Sequence, residues 1–435
     1  MSYISPTNIG SSNTIILIGD SYTSLHKGGT SPGITTPTIG FFNWCNTRLG
    51  KRFNVLNYAG ISGETTTQIL ARFDTNVLGF GAGWVSIQGG INDINSSVSV
   101  STIYSNLVSM YERALDSGIK VIGYTIPLMP VFGTTSLKNA AHQLNALLKK
   151  YAVGKNNFIL IDMNIVLVDE STGLVPSAYT YDNTHLSVLG AAILGDYMYQ
   201  ILDPIIPKNN DWLCSSYDDT YANNASGGAY TNLLTNGMLV GATSGLTTGW
   251  MTTAPTLSSG GSAVLNTDYQ QSKVSAFNTS LRKYRQFLWQ QFVVLISAGA
   301  EKQFAFRPST SQLNSRYSTG DYLYAECEYE MDTDVTAVTR LSLTLQTLVS
   351  SGSAPSSIDM FTNGTTNGAY PVSASPQYFP ISGVLRTYPV EMTSLVTSVY
   401  PELQFRATSG TIRMARFAVK KATAEIVNGI TIFRY

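Results

Sequence analysis

A short apolar run near the N-terminus, Ile15-Ile16-Leu17-Ile18, ends abruptly in Gly19-Asp20-Ser21. The run is too short to cross a membrane and is typical of a strand that is buried on both faces. Such strands belong to α/β sheets, whose active sites lie at the carboxyl ends of the strands. We therefore expect Ser21 at one of these ends. A serine that only caps a helix fits the same residues, so the rest of the chain has to decide between the two interpretations.

The first half of the chain alternates between strand and helix patterns. Strands are predicted at 53–58, 84–88, 120–126 and 158–163, and helices at 101–116, 136–151 and 186–202. This alternation predicts a parallel sheet with helices on both faces.

The hydrophobic pattern of the sequence changes near residue 203, where Pro, Asn and Gly residues interrupt the helix and strand periodicity. Beyond that point short alternating runs, such as Leu323, Ala325, Cys327 and Tyr329, are separated by turn residues and predict antiparallel strands. The predicted organisation is an α/β domain over 1–205, an irregular connector over 206–230, and an all-β, jelly-roll-like sandwich over 231–435. We find no internal repeat.

Composition excludes several functional classes. The 435 residues include 27 basic and 27 acidic ones, and only 12% are charged, which argues against a nucleic-acid partner. The three cysteines, Cys45, Cys214 and Cys327, are far apart and predict free, mostly buried thiols, with neither a metal site nor a disulfide framework. No apolar stretch predicts membrane insertion. The first residues lack the pattern of a signal peptide, so synthesis in the cytoplasm is expected.

A serine nucleophile needs a base, and the base works best when a carboxylate orients it. The chain has three histidines. His26 follows the Ser21 turn in a polar stretch, and His142 falls within a helix pattern. His185 comes three positions after Asp182, so one turn can carry both a base and its orienting acid. The alternative is that this turn merely caps the following helix.

Acyl transfer also needs hydrogen-bond donors aimed at the developing oxyanion. Gly63 lies in a loop after the second predicted strand, where glycine lets a backbone N–H approach a ligand closely. Asn92 lies in Gly89-Gly90-Ile91-Asn92-Asp93 after the third strand and offers a side-chain amide. Either loop alone is a weak signal, but both are predicted at the same edge of the sheet as Ser21.

The ordered set Gly19-Asp20-Ser21, Gly63, Asn92 and Asp182-x-x-His185 resembles the SGNH (GDSL-type) hydrolase family over about the first 205 residues. The resemblance implies a flavodoxin-like, three-layer α/β/α fold and ester hydrolysis without a metal or cofactor. It implies Ser21 as nucleophile, His185 as base and Asp182 as its orienting acid. The oxyanion hole would consist of the N–H groups of Ser21 and Gly63 and the Asn92 side chain. Tyr22 stands where the family often has Leu.

The second half opens with 232–237 and soon reaches Trp250, a start that looks like carbohydrate-binding jelly rolls. An SGNH domain with such a partner resembles bacteriophage tail-spike and tail-fibre deacetylases. This resemblance implies an O-acetylated bacterial polysaccharide as substrate, a virion-associated location and a homotrimer. Three alternatives stay open: a β domain that serves only packing or oligomerisation, a non-catalytic adhesin, and a lipid or thioester hydrolase.

Overall fold

The computed structural model describes residues 13–26, 34–35, 40–207 and 232–234. From residue 242 it describes 242–243, 246–247, 250–253, 261–266, 290–296, 302–308, 313, 316–331, 338–352, 354–362, 382–407 and 409–434. Nearly all of the predicted connector 206–230, and Cys214 within it, lie outside these residues.

The first part of the chain folds into an α/β domain around a parallel sheet. In chain order the strands are β1 (Thr14–Gly19), β2 (Ile34–Thr35), β3 (Asn54–Gly60), β4 (Trp84–Gln88), β5 (Lys120–Tyr124) and β6 (Phe158–Ile161). All except β2 form one five-stranded sheet in the order β3-β1-β4-β5-β6, and every pairing is parallel. This is the flavodoxin-type strand order. The chain adds β3 on one side of β1 and then β4 on the other side, and this switch leaves a crevice at the carboxyl ends of β1 and its neighbours.

Strands β1 and β4 are buried at every position, so both faces of the sheet are covered. The helices are α1 (Ser21–Ser24), α2 (Phe41–Arg48), α3 (Thr66–Ala71), α4 (Phe73–Asn76), α5 (Ile91–Asn95), α6 (Val100–Asp116), α7 (Thr135–Ala152), α8 (Asn164–Leu167) and α9 (Val188–Leu202). Helix α6 packs beside α3 and α7, whereas α2 and α8 pack on α9. The predicted alternation and parallel sheet are confirmed.

The C-terminal part is rich in antiparallel strands. They are β7 (Ala242–Thr243), β8 (Leu246–Thr247), β9 (Trp250–Thr253), β10 (Gly261–Asn266), β11 (Gln290–Ile296), β12 (Lys302–Pro308), β13 (Tyr322–Met331), β14 (Val338–Val349), β15 (Ser357–Thr362), β16 (Ser382–Arg386), β17 (Val390–Glu391), β18 (Val396–Ala407), β19 (Ser409–Val427) and β20 (Ile430–Arg434). One sheet follows the order β10-β11-β19-β13-β16, with β17 on β13 and β20 on β19; another follows β2-β15-β14-β18-β12-β9. The antiparallel prediction is confirmed, while the jelly-roll topology and the domain boundaries stay predictions.

The two parts of the chain contact each other through backbone and side chains. Strand β2, which lies inside the predicted α/β domain, pairs in parallel with β15 and extends the edge of the C-terminal sheet. Strand β20 packs beside β3, an edge of the parallel sheet, and Asn54 there donates a hydrogen bond to the carbonyl of Phe433 at 3.2 Å. An unpaired strand edge exposes backbone groups to which another segment can bind. Here β2 covers the β15 edge of the C-terminal sheet, and β20 lies against the β3 edge of the parallel sheet.

A buried ion pair lies at this junction. The Lys51 ammonium, in the α/β domain, is 2.7 Å from the Asp359 carboxylate in β15. The same carboxylate accepts a hydrogen bond from the backbone N–H of Arg386 at 2.8 Å, and the Arg386 guanidinium donates to the carbonyl of Lys51 at 3.1 Å. Because Lys51 and Asp359 are almost completely buried, each charge depends on the other for compensation.

We predict that Asp359→Asn destabilises the protein by roughly 3–5 kcal/mol, because it leaves the Lys51 charge buried without a counter-ion. The free energy of unfolding in urea measures the effect. The control is Asp74→Asn, which removes the carboxylate of the exposed pair with Arg113 and should cost at most about 1 kcal/mol. Equal effects of the two substitutions would contradict a role for the buried pair.

Candidate active site

Ser21 is the first residue of α1, directly after β1, and it is 9% exposed. The carboxylate of Asp20 caps this helix by accepting a hydrogen bond from the N–H of Tyr22 at 2.9 Å. Gly19 allows the turn to pack, since a Cβ at this position would lie 2.3 Å from the carbonyl oxygen of Gln88 in β4. The sequence therefore places the hydroxyl at the carboxyl end of a central strand, as predicted.

Asp182 and His185 share one turn immediately before α9. One carboxylate oxygen of Asp182 accepts hydrogen bonds from the N–H groups of Thr184 (2.9 Å) and His185 (2.7 Å). The other oxygen is 2.7 Å from His185 Nδ1. Asn183, between them, has a φ of 65°, a left-handed conformation that asparagine tolerates better than most residues. The turn is therefore built around the carboxylate.

The structure brings this turn to Ser21. His185 Nε2 is 2.8 Å from Ser21 Oγ, although the two residues are 164 positions apart in the chain. With the 2.7 Å contact on the other ring nitrogen, the three side chains form a continuous line from carboxylate to imidazole to hydroxyl. This is the geometry that a base needs in order to take a proton from a serine hydroxyl.

The Asp182 carboxyl is held in its ionised form. Partial burial raises the pKa of this group, but the hydrogen bonds from the His185 side chain and from the backbone of His185 and Thr184 outweigh burial, and the net pKa is lowered. An ionised carboxylate accepts the Nδ1 proton, which leaves Nε2 as the acceptor facing Ser21.

Three hydrogen-bond donors follow the carboxyl ends of β1, β3 and β4: the N–H groups of Ser21 and Gly63 and the side-chain amide of Asn92. Among the described residues, no acceptor is bonded to the backbone N–H of Ser21 or of Gly63. Gly63 has a φ of +84° in an exposed part of its loop. The Asn92 amide donates one hydrogen to the carbonyl of Glu64 at 2.9 Å, which fixes its orientation and leaves a second hydrogen for a ligand.

Two residues that the sequence did not single out hold these loops in place. Arg72 donates to the carbonyls of Gly19 (3.0 Å) and Ala59 (2.8 Å) at the ends of β1 and β3, and it pairs with the carboxylate of Glu64. Asp93, next to Asn92, accepts hydrogen bonds from the N–H and hydroxyl of Thr66. The β1, β3 and β4 loops are thus joined by buried polar contacts. No local sequence pattern predicts this role of Arg72, because the carbonyls that it binds belong to other strands.

The structure does not bring the other two histidines into this line of contacts. His142 is exposed on α7. His26, expected in a polar stretch, is instead buried against the edge of the Phe41 ring, with 4.6 Å between the ring centroids. Burial lowers the pKa of His26 to about 3, so its imidazole is neutral. The sequence could not show this, because α2 supplies the covering ring.

The described residues were also compared with the expectations for metal sites, membrane-spanning helices and cysteines. Among them, no three His, Cys, Asp or Glu side chains come together in a way that could hold a metal ion. No helix within the described ranges is long and apolar enough to cross a membrane. Cys45 and Cys327 are free and buried, as predicted, and Cys214 lies outside the described residues.

The α/β domain matches a known family. Residues 17–193 match the GDSL-like Lipase/Acylhydrolase family. An acetylxylan esterase from Geobacillus stearothermophilus is 28% identical over 205 residues, which cover 43% of this chain and 92% of that protein. This part of the chain is therefore similar to GDSL-type acylhydrolases.

Two solved structures were also found to be similar. An acetylxylan esterase from G. stearothermophilus is 23% identical and covers 45% of this chain and 95% of its own, with a TM-score of 0.38. A GDSL-like lipase from Bacteroides thetaiotaomicron is 20% identical and covers 44% and 88%, with a TM-score of 0.36.

The Asp20 carboxyl yields a testable pH dependence. Complete burial, with smaller contributions from the charges of Asp93 and Glu64, raises its pKa from 3.8 to about 7. One of its oxygens has no hydrogen-bond partner within the part of the chain that the structure describes. The folded protein thus keeps this proton to a higher pH than the unfolded chain does. The stability that the proton confers is fully present below about pH 4 and is lost as the pH rises through about 7.

We predict that Asp20→Asn removes this dependence, because the amide keeps an oxygen for the Tyr22 N–H but carries no charge. Relative to the variant, the free energy of unfolding of the wild type should fall by on the order of 4 kcal/mol between pH 4 and pH 8. Urea denaturation at several pH values measures this difference. Parallel curves for the two proteins would contradict the prediction.

Proposed function

We propose that this protein is a serine esterase that removes O-acetyl groups from a polysaccharide, with Ser21 as nucleophile, His185 as base and Asp182 as orienting acid. The single observation that carries the proposal is the pair of short contacts on the His185 ring, 2.8 Å to Ser21 Oγ and 2.7 Å to Asp182. The match of residues 17–193 to an acylhydrolase family supports the reaction class.

The proposed reaction has two halves. His185 takes the proton of Ser21 as the oxygen attacks the ester carbonyl, and then returns a proton to the leaving alcohol. Water attacks the acetyl-enzyme in the second half, with His185 again as base. The bond from the acetyl carbon to Ser21 Oγ then breaks, His185 returns the proton to Ser21 Oγ, and acetic acid leaves and ionises to acetate. The negatively charged oxygen that forms in each half would accept hydrogen bonds from the N–H groups of Ser21 and Gly63 and from the free amide hydrogen of Asn92.

The substrate class is supported by two arguments. The Geobacillus relative is, by its name, an acetylxylan esterase, so a chain similar to the α/β domain acts on an acetylated carbohydrate. In addition, His185 is 20% and Asp182 40% exposed, so the base lies near the surface. A shallow site suits a side group on a long polymer that cannot enter a deep pocket. The location on a phage tail and the homotrimer stay predictions.

We predict that the wild type releases acetate from O-acetylated bacterial surface polysaccharides or acetylated xylan, and that Ser21→Ala abolishes release without changing the thermal unfolding temperature. Acetate is quantified by an enzyme-coupled assay over a panel of polysaccharides. Turnover by the folded Ser21→Ala variant would contradict the assignment of the nucleophile.

Two further measurements, a series of acyl esters of increasing chain length and a polysaccharide-binding assay, separate the alternatives. For a deacetylase, kcat/KM for p-nitrophenyl esters should fall sharply beyond acetyl or propionyl. Retained or rising activity on long acyl chains would indicate a lipid hydrolase instead. An inactive wild type that still binds polysaccharide would indicate an adhesin.

We further predict that Asn92→Ala lowers kcat by on the order of 10²-fold, as expected for the loss of one oxyanion donor. Steady-state kinetics on an acetyl ester measures the change. The matched control is Asn57→Ala, which also removes an amide that donates to one backbone carbonyl, that of Asn76 in the same domain. Similar kcat values for the two variants would exclude Asn92 from the oxyanion site.

A further inference from the structure

Tyr22, the residue after Ser21, connects the nucleophile to the turn that carries the base. Its side chain is 3% exposed, and its hydroxyl donates a hydrogen bond to the carbonyl of Thr184 at 2.5 Å, across 162 positions of the chain. The centroid of its ring lies 5.8 Å from that of the His185 ring. The residue immediately before His185 is therefore fixed to the residue immediately after Ser21.

The phenol can act only as a donor in this contact, because the Thr184 carbonyl has no proton to give. Burial, with smaller contributions from the charges of Asp20 and Asp182, raises the pKa of Tyr22 well above its ordinary value. The hydroxyl therefore keeps its proton across the pH range in which a histidine base works.

The base turn, residues 181–185, is closed by contacts within itself: the Tyr181 N–H donates to the His185 carbonyl at 3.2 Å, and the Tyr181 and His185 rings stack with 5.6 Å between their centroids. Its N–H groups at Thr184 and His185 both point to the Asp182 carboxylate, which closes the turn but does not attach it to the sheet. The carbonyl of Asn183 accepts a hydrogen bond from Val131 at 3.1 Å on one side. The Tyr22 hydroxyl holds the adjacent carbonyl on the side that faces Ser21.

We propose that Tyr22 is a positioning residue of the active site, whose hydroxyl sets the distance between His185 Nε2 and Ser21 Oγ by holding the Thr184 carbonyl. The proposal rests on the function proposed above. A misplacement of about 1 Å in a reacting group can cost on the order of 10²-fold in rate. The loss of one anchoring hydrogen bond should therefore slow the reaction without preventing folding.

The test compares Tyr22→Phe with Tyr124→Phe. Tyr124 is also 3% exposed, and its hydroxyl also has one short contact, at 2.9 Å, but with Ser86 on the adjacent strand of the sheet. Both variants lose one buried hydroxyl, so both should show similar losses of thermal stability. We expect kcat for acetyl ester hydrolysis to fall about 10-fold in Tyr22→Phe with KM unchanged, and to stay at the wild-type value in Tyr124→Phe.

A second measurement does not depend on turnover. The proton between His185 Nδ1 and Asp182 should give a far-downfield resonance in the proton NMR spectrum, assigned by its loss in His185→Ala. We expect this resonance to shift or broaden in Tyr22→Phe and to be unchanged in Tyr124→Phe. An unchanged resonance together with an unchanged kcat in Tyr22→Phe would overturn the proposal.

The two readouts also distinguish this proposal from the proposed function. If the wild type lacks esterase activity, the function fails, while the effect of Tyr22→Phe on the His185 resonance still decides whether Tyr22 positions the base. If the wild type is active and both tyrosine variants lose the same fraction of kcat, the effect is general destabilisation and the positioning role is wrong.

Discussion

The close approach of backbone at the carboxyl ends of β1, β3 and β4 is the constraint on which the whole site depends. A Cβ at Gly60, at the end of β3, would lie 2.1 Å from the N–H nitrogen of Ser24 in α1, and one at Gly19 would overlap β4. Only residues without a side chain allow three loops to meet so closely. Once they meet, the Arg72 guanidinium can reach the ends of both β1 and β3.

This packing explains how residues that are far apart in the sequence form one site. Ser21 follows β1 and His185 precedes α9, and the other four strands of the parallel sheet lie between them in the chain. Parallel strands bring all of their carboxyl ends to one edge, so the order of motifs along the chain becomes a spatial cluster. Buried polar contacts, such as Asp93 with Thr66, then fix loops that would otherwise be free to move.

The sequence predicted those features that have a local signal. The apolar run before Ser21 identified β1, and the spacing of Asp182 and His185 placed both residues on one turn. Helix α2 was missed because it is buried almost all round, including Asn43 and Asn46, and so shows no amphipathic period. The anchoring roles of Tyr22 and Arg72 could not be predicted, because each depends on partners that only the folded sheet brings near. The β2–β15 pairing was missed for the same reason.

The pairing of β2 with β15 has a consequence for how such a chain can evolve. The segment between α1 and α2 contributes a strand to the C-terminal sheet. Lys51 in the α/β domain forms an ion pair with Asp359 in that sheet. The C-terminal half is therefore not an independent module that another domain could replace. Recombination that replaced it would have to bring matching residues at both contacts, so the two halves are expected to be inherited together.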